Sequence, residues 1–116
     1  MTFTEAVDGV ISCAGVVGTA IADRDGIPVQ AWGDEGQIEE AVAEFSAFLG
    51  EVLSANRELK LGRLEQLQVV GARRQVLVTM IADDYYLITI VDRDGNPGQA
   101  RFASRLAAHR LRSEFV

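Results

Sequence analysis

Catalysis needs nucleophiles, bases and acids in useful combinations, and this sequence carries few. His109 is the only histidine and Cys13 the only cysteine. Any Ser–His or Cys–His device would have to use His109. That residue sits among Arg105, Arg110 and Arg112, with no acid beside it to orient a catalytic imidazole. It reads as a surface helix residue. Cys13 lies between Ser12 and Ala14 on an apolar helix and reads as a small core residue. A lone cysteine makes no internal disulfide, and no Cys/His set for zinc exists. Lys60 is followed by Leu61 with no glycine framework before it, so there is no phosphate loop, and neither GxGxxG nor GxSxG occurs. The expectation is a non-enzyme with no catalytic, cofactor or metal-binding residue.

One near-repeat remains: Ile21-Ala22-Asp23-Arg24-Asp25-Gly26-Ile27-Pro28 and Ile90-Val91-Asp92-Arg93-Asp94-Gly95-Asn96-Pro97. The D-x-D-G core suggests a calcium loop, but that loop needs a distal bidentate Glu that neither copy has. Two turns built from the same residue chemistry are the better reading. Arg24 and Arg93 at their tips could touch a partner.

Charge narrows the classes further. The chain has 116 residues, 17 acidic and 11 basic side chains, and a net charge of −6. Residues 1–58 carry 11 acids against 2 bases, whereas residues 59–116 carry 6 acids against 9 bases. An acidic protein with one lysine is a poor nucleic-acid binder. The start has no basic n-region, and no apolar run approaches the roughly 20 residues that span a bilayer. The chain is expected to be a cytoplasmic protein with no membrane insertion, a single domain over residues 1–116.

The elements that must position these side chains follow from periodicity. Thr4 can cap a first helix with Val7, Val10, Ile11 and Ala14 on one side, ended by Gly15. Residues 16–22 read as a strand with Val17, Thr19 and Ile21 on one face and Gly18, Ala20 and Ala22 on the other. Neither face is charged, so both should be covered, and the small face would admit a helix close to the sheet. Residues 28–32 return as an edge strand beginning at Pro28. A long helix over 37–56 comes next. Strands over 64–70, 74–81 and 85–91 form a meander, and a last helix runs from 99 to near 115. Five strands with helices on both faces make a three-layer α/β/α sandwich.

The long helix divides into three stripes at about 100° per residue. Ile38, Ala41, Val42, Phe45, Phe48, Leu49, Val52 and Leu53 make an apolar arc of normal core-facing width. Ala43, Ser46, Ala47, Gly50 and Ser54 make a small stripe, and Glu40, Glu44 and Glu51 an acidic one. Gly50 in mid-helix costs about 1 kcal/mol relative to Ala. Either another backbone approaches it closely or the strip faces solvent, where small residues matter little. With the first and last helices expected on the opposite face, a close approach would come from a second copy, giving a twofold dimer. Glu65, Gln66 and Gln68 make the third strand polar, and pairing its outer edge with a symmetry mate would satisfy that edge. The expected dimer interface is Ala43, Ser46, Ala47, Gly50, Ser54, Gln66 and Gln68. In the last helix, Arg101, Arg105 and Arg112 form one side. Phe102, Ala103, Leu106, Ala107 and Leu111 form an apolar side into which Arg110 must snorkel.

The stretch Val16-Val17-Gly18-Thr19-Ala20-Ile21-Ala22-Asp23-Arg24-Asp25-Gly26-Ile27-Pro28-Val29 resembles the signature hairpin of the roadblock (dynein light-chain type) family. The resemblance continues through the long helix, residues 75–91, and Gly98-Gln99-Ala100-Arg101-Phe102, and is strongest to bacterial MglB-like partners of Ras-like small GTPases. It implies a five-stranded antiparallel sheet in the order 2-1-5-4-3. It implies a homodimer through the third strand and second helix, and a surface that receives a small GTPase whose own residues perform hydrolysis. On that reading Glu40, Glu44, Glu51, Arg24 and Arg93 are the partner-binding candidates. The competing readings are an interaction scaffold in a motor or signalling complex, and a small-ligand sensor. The sensor reading is disfavoured because Phe45 and Phe48 are expected to fill the core.

Overall fold

The computed structural model describes residues 1–115. These form α1 (Phe3–Ile11), β1 (Val16–Asp23), β2 (Pro28–Gly33), α2 (Glu35–Glu58), β3 (Gln66–Val70), β4 (Arg74–Ala82), β5 (Tyr85–Asp92) and α3 (Pro97–Leu111), followed by a 3-10 turn at Arg112–Glu114. The strands make one antiparallel sheet in the order β2-β1-β5-β4-β3. Helices α1 and α3 pack against each other on one face, and α2 lies alone on the other. This is the expected sandwich and strand order.

Local capping sets the helix starts earlier than periodicity suggested. Thr2, not Thr4, caps α1: its hydroxyl accepts from the Glu5 amide at 3.1 Å, the Thr-x-x-Glu spacing of a capping box. The Thr4 hydroxyl instead accepts from the Trp32 indole at 3.2 Å. Asp34 caps α2, so Gly36 belongs to its first turn. Asn96 caps α3 with Pro97 at the first helical position, where its missing N–H is no loss and its fixed φ suits the helix.

The faces of β1 differ from simple alternation at one end. Thr19 and Ile21 do point to the α1–α3 side, and Ala20 and Ala22 to α2. Val17 packs on the α2 side instead. A bulge between Val16 and Gly18 against β5 inserts one extra residue, which reverses the side chains before it.

Helix α3 is also turned from its expected orientation. It buries Ala100, Ser104, Ala107, Ala108 and Leu111, while Phe102 is 69% exposed and Leu106 43% exposed. The small residues let α3 lie close over a polar seam in the sheet. There the Thr19 hydroxyl donates to the Ile88 carbonyl at 3.0 Å and meets the Thr89 hydroxyl at 2.8 Å, with Ser104 at 3.5 Å from Thr89. Buried hydroxyls are tolerated because each has a partner. With the buried arc so placed, Arg110 faces solvent and has no need to snorkel.

Two turns close the α1–α3 face. The Asp92 amide donates to the Gly15 carbonyl and the Asn96 amide to the Ala14 carbonyl, both at 2.8 Å. The backbones approach so closely that a Cβ on Gly95 would lie 2.1 Å from the Ala14 oxygen, and Gly15 adopts φ +87°. Only glycine fits at either position.

Candidate functional site: the open flank of α2 and the edge of β3

The start of α2 is tied down by a chain of polar contacts. The Asp34 carboxylate accepts from the Gln37 backbone amide at 3.1 Å and from the Gln37 side-chain amide at 2.7 Å. Arg74 on β4 donates to the Gln37 side-chain oxygen and, at 2.8 Å, to Asp92. The hydrogen bonds from the Gln37 side chain and backbone, with Arg74 nearby, hold the Asp34 carboxyl below the usual carboxylate range.

This anchor also orients the helix about its axis. The Gln37 flank faces β4 and, beyond it, β3. The opposite flank faces the β1–β2 turn: the Ser46 hydroxyl meets the Tyr86 hydroxyl at 2.7 Å and packs beside Gly26. Burial pushes the Tyr86 phenol up, against the opposing pull of its bond to Ser46. Most of the packing of α2 is over β1, β2 and β5, burying Ile38, Ala41, Val42 and Leu49. That placement leaves the sheet uncovered toward β3.

What remains open there is apolar. Leu67 pairs with Val78 and Val69 with Val76, so these four share the α2 side of the sheet by strand alternation. Leu67 and Val76 are half-buried at the margin of the core, and Val69 is 39% exposed. Phe48 projects on the Gln37 flank, 45% exposed. It is held edge-on to Phe45 with ring centroids 6.0 Å apart, a favoured aromatic geometry. β3 has only five residues and pairs with β4 alone, so its outer backbone groups are unpaired among the described residues.

The residues singled out from sequence are therefore spread over several surfaces. Ser46 and Gly50 face the β1–β2 turn and not β3. Gly50 has no heavy atom within 4 Å of where a Cβ would sit, so no neighbour among the described residues requires it. Ala43, Ala47 and Ser54 are exposed along the outer surface of α2, as are Glu40, Glu44 and Glu51. Gln66 and Gln68 point to the α3 side of the sheet, where the Gln66 amide donates to the Thr79 hydroxyl at 2.9 Å. The structure thus does not bring the small stripe and the β3 glutamines together. Sequence reasoning missed Phe48, assigning it to the core. The available signal was its place at the edge of the apolar arc, where a wide stripe outruns the sheet beneath it.

The two D-x-D-G segments are turns at opposite ends of the sheet. Asp23 spends its carboxylate on the amides of Asp25 and Ile27 at 2.9 and 3.0 Å, and Asp92 is held by Arg74. Arg24 lies 3.9 Å from Asp84, and Arg93 donates to the Gly71 carbonyl at 3.0 Å. Both arginines already have partners, and they do not converge.

Comparison with known proteins gives this surface its setting. Residues 2–96 match the Roadblock/LC7 domain. The chain belongs to this family. A search of curated protein sequences finds no match. Solved structures with the same fold include the roadblock domain of Streptomyces avermitilis at 14% identity, with a TM-score of 0.82 over 95% of this chain and 94% of that one. The gliding protein MglB of Thermus thermophilus is similar at 13% identity, with a TM-score of 0.84 over 96% and 86% of the two chains. MglC of Myxococcus xanthus is similar at 24% identity, with a TM-score of 0.68 over 99% and 100%. In this roadblock domain no helix among the described residues is long and apolar enough to cross a membrane.

Proposed function

We propose that this roadblock domain is a homodimeric, non-catalytic regulator that receives a Ras-like small GTPase. The observation that carries the reading is the unfinished sheet face: exposed Phe48 and Val69 beside the unpaired edge of β3. Twofold pairing of the β3 edges extends the sheet across both copies and sets one α2 beside the other. Phe45, Phe48, Val52, Leu67 and Val69 then bury one another, while Ala43, Ala47 and Ser54, about 100° or more round the helix from Phe48, stay outside the contact. An isologous contact of this kind satisfies edge and apolar flank in one step.

The dimer carries two copies of the Glu40, Glu44 and Glu51 ridge on its outer surface, which supplies a field for steering a basic partner. Such a regulator contributes shape: it selects the partner's GTP-bound switch conformation and holds its loops for hydrolysis by the partner's own residues. Arg24 and Arg93 are not needed as fingers, since both are engaged within the chain. The test is copurification with Ras-like GTPases from the same genome, loaded with GDP or a GTP analogue. Binding to the GTP form is expected, and indifference to the nucleotide of every such GTPase would overturn the reading. Turnover measured on the complex separates an activator, which accelerates hydrolysis, from a scaffold, which does not.

A further inference from the structure

The strongest feature outside the α2 face is a cleft of about 720 Å³ between α3, the segment that follows α2 and the end of β4. Its charge runs against that of the chain. Arg24, Arg57, Arg63, Arg105, Arg112 and His109 line it, opposed only by Glu65 and Asp83, in a protein with 17 acids to 11 bases. Among the described residues the ion pairs are Arg24–Asp84 and Arg74–Asp92, so Arg57, Arg63 and Arg105 have no carboxylate partner. Arg112 is fixed in the wall by donating to the Ile81 carbonyl at 3.2 Å. The cleft is not purely polar. Leu53 and Leu64 line it, and the exposed Phe102 and Leu106 of α3 stand on the same surface. It runs on through Arg63, Asp83 and Arg112 into a second hollow bounded by Tyr85 and Phe115.

We propose that this trough is a docking site for an acidic peptide segment of a partner protein that also carries apolar side chains. Three observations favour that occupant. Unpartnered guanidinium groups are matched by carboxylates, which they bind as charge-assisted, often bidentate pairs. Exposed Phe102 and Leu106 require an apolar counterpart, which a phosphate ion lacks. A long polyanion such as a nucleic acid meets the repulsion of a chain with net charge −6, whereas a short segment contacts only the basic trough. The site is separate from the Phe48–Val69 flank: it touches α2 only at Leu53 and Arg57, near the helix end, and includes neither Phe48 nor Val69.

An NMR titration of the full chain tests this, with a synthetic peptide of glutamates, leucines and one tryptophan as the probe. Shifts confined to the amides around Arg63, Ile81, Arg105 and Leu106 are expected. Binding should weaken about tenfold or more in the Arg63→Glu, Arg105→Glu double variant and should fall with rising salt. Phe102→Ser should weaken binding without altering the salt dependence. Circular dichroism melts should match wild type for both variants, since all three side chains are exposed. Absence of shifts, shifts centred on α2, equal binding by the double variant, or equal shifts from inorganic phosphate or an all-glutamate peptide would each overturn the proposal. Binding to anionic vesicles in place of the peptide would overturn it too.

Discussion

On one face of the sheet, α3 buries Ala100, Ser104, Ala107, Ala108 and Leu111, and α1 adds Ala6, Val7 and Val10. On the other, α2 buries Ile38, Ala41, Val42 and Leu49 and leaves Phe48 and Val69 in solvent. The strands of the first face are covered by two helices and by turns that touch at Gly15 and Gly95, with Phe102 and Leu106 left on the outer side of α3. The second has one helix for five strands, displaced toward β2. The contrast shows where small residues and large ones belong. Small residues bring α3 down onto the sheet, while large ones on α2 overhang a surface the chain itself does not cover.

The largest expected effect lies in the completed face. Gly95→Ala places a methyl group against the Ala14 carbonyl, and urea denaturation should show a loss of about 3 kcal/mol. Full stability in that variant would mean the two turns can separate freely. Ser104→Leu should cost about 2 kcal/mol by overpacking the seam under α3, with little effect on oligomeric state. Gly50→Ala is expected to raise stability by up to about 1 kcal/mol, because nothing lies near the added Cβ. A weakened dimer in that variant would restore the small stripe as the interface.

The smallest effect is a pH dependence at the anchor of α2. The Asp34 carboxyl is lowered in the folded protein, so its ionised form stabilises the fold above the usual carboxylate range. That contribution is lost as pH falls through the lowered value. Thermal melts of Asp34→Asn should therefore sit below wild type near neutrality, and the gap should close in acid. Asn can still cap the helix, so a gap that persists unchanged in acid would point away from the charge.

Much of this architecture was legible in the chain because β-strand and helix periods differ and the turns carry Gly, Asp and Pro. The strand order came through resemblance to a family, since antiparallel strands of similar composition do not announce their neighbours. Two side-chain assignments failed for geometric reasons. A bulge at Val16–Gly18 reversed Val17, and bulges leave little trace in residue type. The buried side of α3 was misjudged because hydrophobicity pointed to Phe102 and Leu106, whereas close packing over Thr19 and Thr89 demanded Ala and Ser. The same limit applies to α2: periodicity gives the apolar arc, but where the sheet beneath it ends depends on how the helix crosses the strands. Phe48 therefore overhangs the sheet instead of entering the core, and Ser46 and Gly50 lie toward the β1–β2 turn.

Sedimentation equilibrium of the wild-type chain beside Phe48→Asp tests most directly whether the α2 face is completed by a second copy. Wild type should be a dimer at micromolar concentration. Phe48→Asp should be a folded monomer, with dissociation constant raised about a hundredfold or more and an unchanged far-ultraviolet spectrum. A wild-type monomer, or a Phe48→Asp variant that dimerises as tightly as wild type, would contradict the account.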